Sequence, residues 1–260
     1  MPILTQNSKV LTAGGKVLIR EPEPSPLDLP NLKLYLSATR MPQYADGTAI
    51  PSFLDYSVNN YNAIQGSGSL QPTFQTNEFG INAGIKFDGS NDAMNITGGA
   101  LDIFRNINQY TVQIATKRNV VSDICYDFYV TNNANTTVRF AVGWTGSNLQ
   151  VVVRRADADP SAVTILVPIN DTSPHLIQIT LNPSNYTAYV FVDGQLAGSS
   201  QLVGSGNLDN TACAQINIGW YNFSSIYGKS CINGISVNTS YSDNATIQAQ
   251  YRGYLQRGYL

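Results

Sequence analysis

Charge is scarce in this chain of 260 residues. Only 12% of positions are Asp, Glu, Lys or Arg, and glutamate occurs just three times, at Glu21, Glu23 and Glu78. A surface so poor in ion pairs has to be dressed with Asn, Gln, Ser and Thr, which excludes a coiled coil and a charged disordered chain. Histidine occurs once, at His175, and the three cysteines Cys125, Cys213 and Cys231 are far apart. That set has no metal-ligand spacing and cannot build a Cys/His zinc site. The thiols read as buried and reduced, with a Cys213–Cys231 disulfide left open. A net charge of −2 and a pI near 5.3 give no pull toward nucleic acid or anionic lipid. The adjacent basic pair Arg154-Arg155 reads as a strand edge facing water. No stretch approaches the roughly 20 apolar residues of a membrane span, so no membrane insertion is expected. The opening residues, from Met1 to Lys16, lack the basic start, long apolar run and cleavage site of a signal peptide. The expectation is a protein made in the cytoplasm without an export signal.

Against that background 43% of the residues are hydrophobic, enough for a sizeable core. Tyr110, Val112 and Ile114 alternate with polar or small residues. So do Val138, Phe140 and Val142, then Leu149, Val151 and Val153, then Ile177, Ile179 and Leu181. Ala188–Val192 runs into Asp193-Gly194, a strong turn signal. Period-two runs bounded by Gly, Asn, Asp and Pro mark antiparallel strands with one buried face. Many of them without intervening helices predict an all-β sandwich or barrel.

Two segments depart from this pattern. Lys9–Ala13 and Lys16–Arg20 flank Gly14-Gly15, which can take the positive φ angles of a tight hairpin turn. Four prolines follow between Glu21 and Pro30, and they favour an extended polyproline spacer. An isolated hairpin is marginal in water and needs a surface to pack on. Residues 1–30 are therefore read as an anchoring arm, with Val10, Leu11, Val17, Leu18 and Ile19 as its contacts, and residues 31–260 as the sandwich. At the other end Ile247, Tyr251, Tyr254 and Leu255 recur at helical spacing behind a cap at Ser242 or Asp243, predicting a short helix over 242–259.

The order of segments resembles the concanavalin A-like, laminin G-like jelly-roll domains of bacterial and phage surface proteins. Leu32–Leu36 resembles the opening strand, and Phe53–Ser57 with Asn59–Ala63 the "D-x-S-G-N-x-N-x-A" stretch. Phe87-Asp-Gly-Ser-Asn-Asp92 is very close to the "FDGxND" signature. Tyr189–Gly194, Ile218-Gly219-Trp220 and Ile232–Val237 match later strands. The likeness spans roughly Leu32 to Leu260. It implies a jelly-roll β-sandwich with a short C-terminal helix, of the kind displayed on phage capsids and tails. Ser236 stands where the family usually has an acidic residue.

That fold class includes glycanases, which need a pair of carboxyl groups across the scissile bond. With Glu21 and Glu23 in the spacer, Glu78 is alone in the sandwich. Asp157 and Asp159 have the right spacing, but next to Pro160 they read as a solvated turn. His175 has no nucleophile elbow beside it. No catalytic residue and no cofactor is expected. Asp88 and Asp92 fit either a calcium ion or, better, a turn held by side-chain to backbone hydrogen bonds. Trp144, Trp220 and Tyr221 are the candidates for stacking on sugar rings, and Trp144 and Trp220 also fit half-buried strand ends. The main expectation is a phage virion structural protein, capsid decoration or tail-associated, whose partners are capsid or tail proteins. The alternative is a carbohydrate-binding adhesion or host-recognition module facing host-surface glycans. In either case a homo-oligomer is expected, and glycan hydrolysis is the weakest reading.

Overall fold

A computed structural model describes residues 10–13, 16–19, 25–42, 44–157, 162–204, 207–221 and 226–258, the first two segments as backbone. The arm side chains of Val10, Leu11, Val17, Leu18 and Ile19, the Gly14-Gly15 turn, most of the proline spacer, Asp159 and Pro160 lie outside the described residues.

Two eight-stranded antiparallel sheets form the body. The first runs in the order Val163–Pro168, Asn148–Val153, Val138–Thr145, Ile124–Thr131, Ile216–Ile218, Met94–Ile96, Ala63–Ile64 and Ser52–Phe53. The second runs Gln195–Gln201, Thr187–Val192, His175–Asn182, Tyr110–Arg118, Ser230–Asn238, Asn82–Lys86 and Thr73–Phe79, with Leu32–Ser37 also pairing on Ser230–Asn238. Strands from distant parts of the chain are neighbours in both sheets, the jelly-roll arrangement that the sequence predicts. The alternating runs set the two inner faces. Phe128, Phe140, Val142, Leu149 and Val151 from one sheet meet Val112, Ile114, Ile177, Ile179 and Ile235 from the other, all buried in one core. Each such side chain contributes about 1.5–3 kcal/mol by leaving water.

Two bulges redirect side chains that simple alternation would send elsewhere. One at Asp127 breaks the register between Tyr126 and Phe128 and turns a carboxylate inward. The other falls at Asn233, whose buried amide donates to Thr39 Oγ1 at 2.8 Å and to the Ala83 carbonyl at 2.7 Å.

The helix forms over Asn244–Gln256, with Asp243 as the cap accepting from the Thr246 N–H at 2.8 Å. It stops short of the predicted end because Gly258 adopts φ +68° just beyond the Arg257 cap. Its buried stripe is Ile247, Gln250, Gly253 and Tyr254, while Leu255 is half exposed, a correction to the predicted face. The reason is polar: the outer face of the second sheet presents Gln113 and Gln178, and both donate to Gln250 Oε1. The three cysteines are free and buried, and burial raises all three thiols, that of Cys213 to about 11.

The end of the spacer differs from an extended linker. Pro26–Asp28 is a 3-10 turn with a capping box at Ser25, and Pro26 and Leu29 are buried. Asn31 and Pro30 then hydrogen bond to Ser240, fixing the entry into the first strand.

Candidate functional site

Of the aromatic candidates, Trp144 is corrected outright. It is 1% exposed and belongs to the core between the sheets, so it offers no face to a sugar. Its indole N–H donates to Asp127 at 3.0 Å, and Arg118 lies over its ring at 4.7 Å.

Trp220 and Tyr221 are half-buried, on a short strand that pairs with Ile226–Tyr227. Gly219, at φ +72°, turns the chain off the Ile216–Ile218 strand, and an added Cβ there would stand 2.1 Å from the Phe87 ring. This kink carries Tyr221 over the outer face of the first sheet, where it stacks on Tyr126 at 4.6 Å and meets Tyr129 edge-on at 4.9 Å. Tyr126, Tyr129, Ala141 and Val152 form a cluster separate from the main core, with Tyr221 and Ile226 packed on it. The Tyr126 hydroxyl donates to Gln150 at 3.2 Å. Trp220 Nε1 and Asn217 Oδ1 are buried polar atoms with no hydrogen-bond partner among the described residues. Sequence reasoning found Trp220 and Tyr221 and missed the two tyrosines beneath Tyr221, which share the outer face because the bulge at Asp127 resets the alternation between them.

The carboxylates are occupied structurally. Asp157 is the counter-ion of Arg139, which is 1% exposed, with contacts of 2.7 and 3.2 Å. That replaces the solvated turn expected from its sequence context. Glu78 pairs with Lys117. In the Phe87–Asp92 segment Asp88 accepts from the N–H groups of Ser90 and Asn91, and Asp92 accepts from the Asp88 N–H at 2.9 Å. This is the hydrogen-bonded turn. Burial pushes the Asp92 carboxyl up to about 6, aided by the nearby Asp88 and opposed by that backbone hydrogen bond. His175 sits between Asp193, 2.8 Å from Nδ1, and Asp171, 3.0 Å from Nε2, without a nucleophile among its hydrogen-bond partners.

The "D-x-S" segment proves to be a loop clamp. Asp55 accepts from the N–H groups of Tyr35, Ser57 and Tyr61 and from the Ser57 hydroxyl, all within 2.9 Å. Sequence reasoning also passed over a cleft of about 340 Å3 lined by Thr39, Thr76, Asn77, Ile81, Asn82 and Ala83.

The architecture is that of a jelly-roll β-sandwich. No protein-family model matches the sequence, and no curated relative does. Solved structures do match. The CBM40 of Ruminococcus gnavus IT-sialidase bound to α2,3-sialyllactose superposes with a TM-score of 0.54 at 15% identity, over 64% of this chain and 95% of that one. The ligand binding domain of botulinum neurotoxin serotype D in complex with N-acetylneuraminic acid gives 0.60 at 14% identity, over 87% and 52%. Trypanosoma rangeli sialidase gives 0.60 at 11% identity, over 95% and 36%. This chain thus spans about half of the toxin chain and about a third of the trypanosomal one. At these identities the likeness is one of fold.

Proposed function

We propose that this chain is a non-catalytic glycan-binding module. The observation that carries the reading is half-buried Tyr221, held on the outer face of the first sheet over Tyr126 and Tyr129, with half-buried Trp220 next to it in the chain. Aromatic rings on a charge-poor surface suit the C–H faces of pyranose rings, and polar groups beside them suit hydroxyls. Structural neighbours of the same fold are solved with sialyllactose and with N-acetylneuraminic acid, which supports the class of ligand. The test is an array of neutral and sialylated glycans probed with the full chain. Binding that falls at least about tenfold in Trp220→Ala, with the fold intact, supports this reading; a blank array overturns it. Incubation with the bound polysaccharide should release no sugar.

A second reading, a phage virion protein displaying the sandwich from a capsid or tail, is favoured by the arm. Val10–Ala13 and Lys16–Ile19 form a two-stranded sheet of their own, Val10 opposite Ile19, and a lone hairpin requires a surface to pack on. Deleting residues 1–24 should abolish co-sedimentation with purified particles. Equal sedimentation of both forms counts against it.

A further inference from the structure

The cleft beside the Thr73–Phe79 and Asn82–Lys86 hairpin is built rather than incidental, because four of its six lining residues, Thr39, Thr76, Asn82 and Ala83, are held by hydrogen bonds. Asn233, 2% exposed at its bulge, ties Thr39 to Ala83 across the cleft floor. Asp46 accepts from the Thr76 N–H at 2.7 Å and from its hydroxyl at 3.0 Å. Asn82 Nδ2 donates to the Gly258 carbonyl at the end of the helix. Walls held this way lose little freedom when a ligand arrives, so recognition costs less. The volume of about 340 Å3 lies at the lower end of the roughly 300–1,000 Å3 of small-molecule sites.

The chemistry of the lining is neutral. It consists of two hydroxyls, two amides, one methyl and the Ile81 side chain, which is 85% exposed. Of the charged groups around the cleft, Glu78 pairs with Lys117, Asp46 holds Thr76, and Arg40, next to Thr39 in the chain, lies over the Tyr56 ring at 5.2 Å. Thr39 Oγ1 accepts from Asn233, which leaves its own proton to donate. Thr76 Oγ1 donates to Asp46, which leaves its lone pairs to accept. Asn77 sits inside a strand at φ +59°, where the register slips between Gln75 and Phe79. A non-glycine residue in the left-handed region is held there by its surroundings. The exposed Asn77 amide has no protein partner among the described residues, so both its N–H groups and its carbonyl are available.

We propose that this cleft is a subsite for a neutral hexopyranose, with Asn77 bridging two adjacent hydroxyls and Ile81 under the C–H face of the ring. The inference rests on the glycan-binding reading and adds a second contact distinct from Trp220. It also predicts a preference: with no unpaired cation lining it, the cleft takes an uncharged sugar rather than a carboxylated one.

The experiment titrates the full chain with the methyl glycosides of glucose, galactose and mannose, and separately with sialyllactose, followed by amide chemical shifts. Asn77→Gly is the informative variant, since glycine keeps the left-handed backbone while deleting the amide; Ile81→Ser removes the apolar contact. Expected are saturable shifts of residues 76–83 with one neutral glycoside, and weakening of about tenfold or more in Asn77→Gly, the loss of two hydrogen bonds. Neutral sugar binding that both variants leave unchanged overturns the cleft while the module reading stands. Binding of sialyllactose alone does the same. No binding of any glycan overturns both.

Discussion

Trp144 and Asp127 are joined in the interior by an indole N–H that donates to Asp127 Oδ2 at 3.0 Å. Thr116 donates to the same oxygen at 2.8 Å, and Ser230 donates to the other. Those two residues belong to the opposite sheet, so the carboxylate, wholly buried, bridges the sandwich. Burial drives its pKa up, and the three hydrogen bonds oppose that rise. Arg118 lies over the indole and donates to the carbonyls of Val121, Gly146, Ile169 and Asp171, closing this end of the molecule. Trp144→Phe keeps the ring and removes the donor, and it should cost about 1–3 kcal/mol in urea unfolding. Glycan affinity should not change, which separates this tryptophan from Trp220.

Asp157 gives the second prediction. Removing it leaves the Arg139 guanidinium buried, with Thr211 and Cys213 as its remaining partners. Breaking a buried pair from one side costs about 3–5 kcal/mol, and with Asp157 partly exposed the lower end applies. Asp157→Ala should therefore lower the denaturation midpoint strongly. A variant as stable as the parent would sink the counter-ion assignment.

The same residues show how much was legible in the sequence. The parity of Phe140 and Val142 extends to Trp144 two residues on, so its burial was available from alternation; the composition of the site, aromatic and neutral, drew attention away from it. Trp220 could not be placed that way, because Gly219 breaks the parity of the strand before it. Asp127 and Asn233 were illegible for a related reason: a bulge inserts one residue, and nothing in the local composition marks where. Asn77 failed on both grounds, being a polar residue at a slipped register in an edge hairpin. Strands and the helix cap, set by local pattern, were read correctly. Contacts between distant loops, such as Asn233 with Thr39, depend on the assembled sheets.

Asp55 was recognised as part of a resemblance, and the structure supplies its physical role. Its two oxygens take three backbone N–H groups and one hydroxyl, from Tyr35 on the first sandwich strand and from the loop at 57–61. Asp55→Ala would leave buried donors unmet at about 1–3 kcal/mol each. The expected result is a loss of at least about 3 kcal/mol, with hydrogen exchange at the amides of Ser57 and Tyr61 accelerating first. Uniform acceleration across the molecule would instead point to global unfolding as the only route.

The pH dependence of stability follows from His175 and Asp92. The hydrogen bond to Asp193 is the largest influence on His175 and raises its pKa, burial opposes it, and Asp171 adds to the rise. A folded state that holds the proton more tightly than the unfolded chain gains stability from it below the unfolded value near 6.5, and that gain is lost as pH climbs through the higher folded value. Asp92, raised to about 6, adds a loss of its own at lower pH. Between about 4 and 6 the unfolded chain has released a proton that the folded state still holds, so stability falls there too. Asp171 and Asp243 act in the opposite sense, each held low chiefly by a hydrogen bond, and they withdraw stability only under more acidic conditions. The melting temperature should therefore decline from pH 6 to pH 8. His175→Gln, which cannot titrate, should flatten that limb while starting lower at pH 6. Asp92→Asn should leave the limb above pH 6.5 intact and remove the fall between 4 and 6. If the His175→Gln curve ran parallel to that of the parent across pH 6–8, the two carboxylates flanking the imidazole would not be holding its proton.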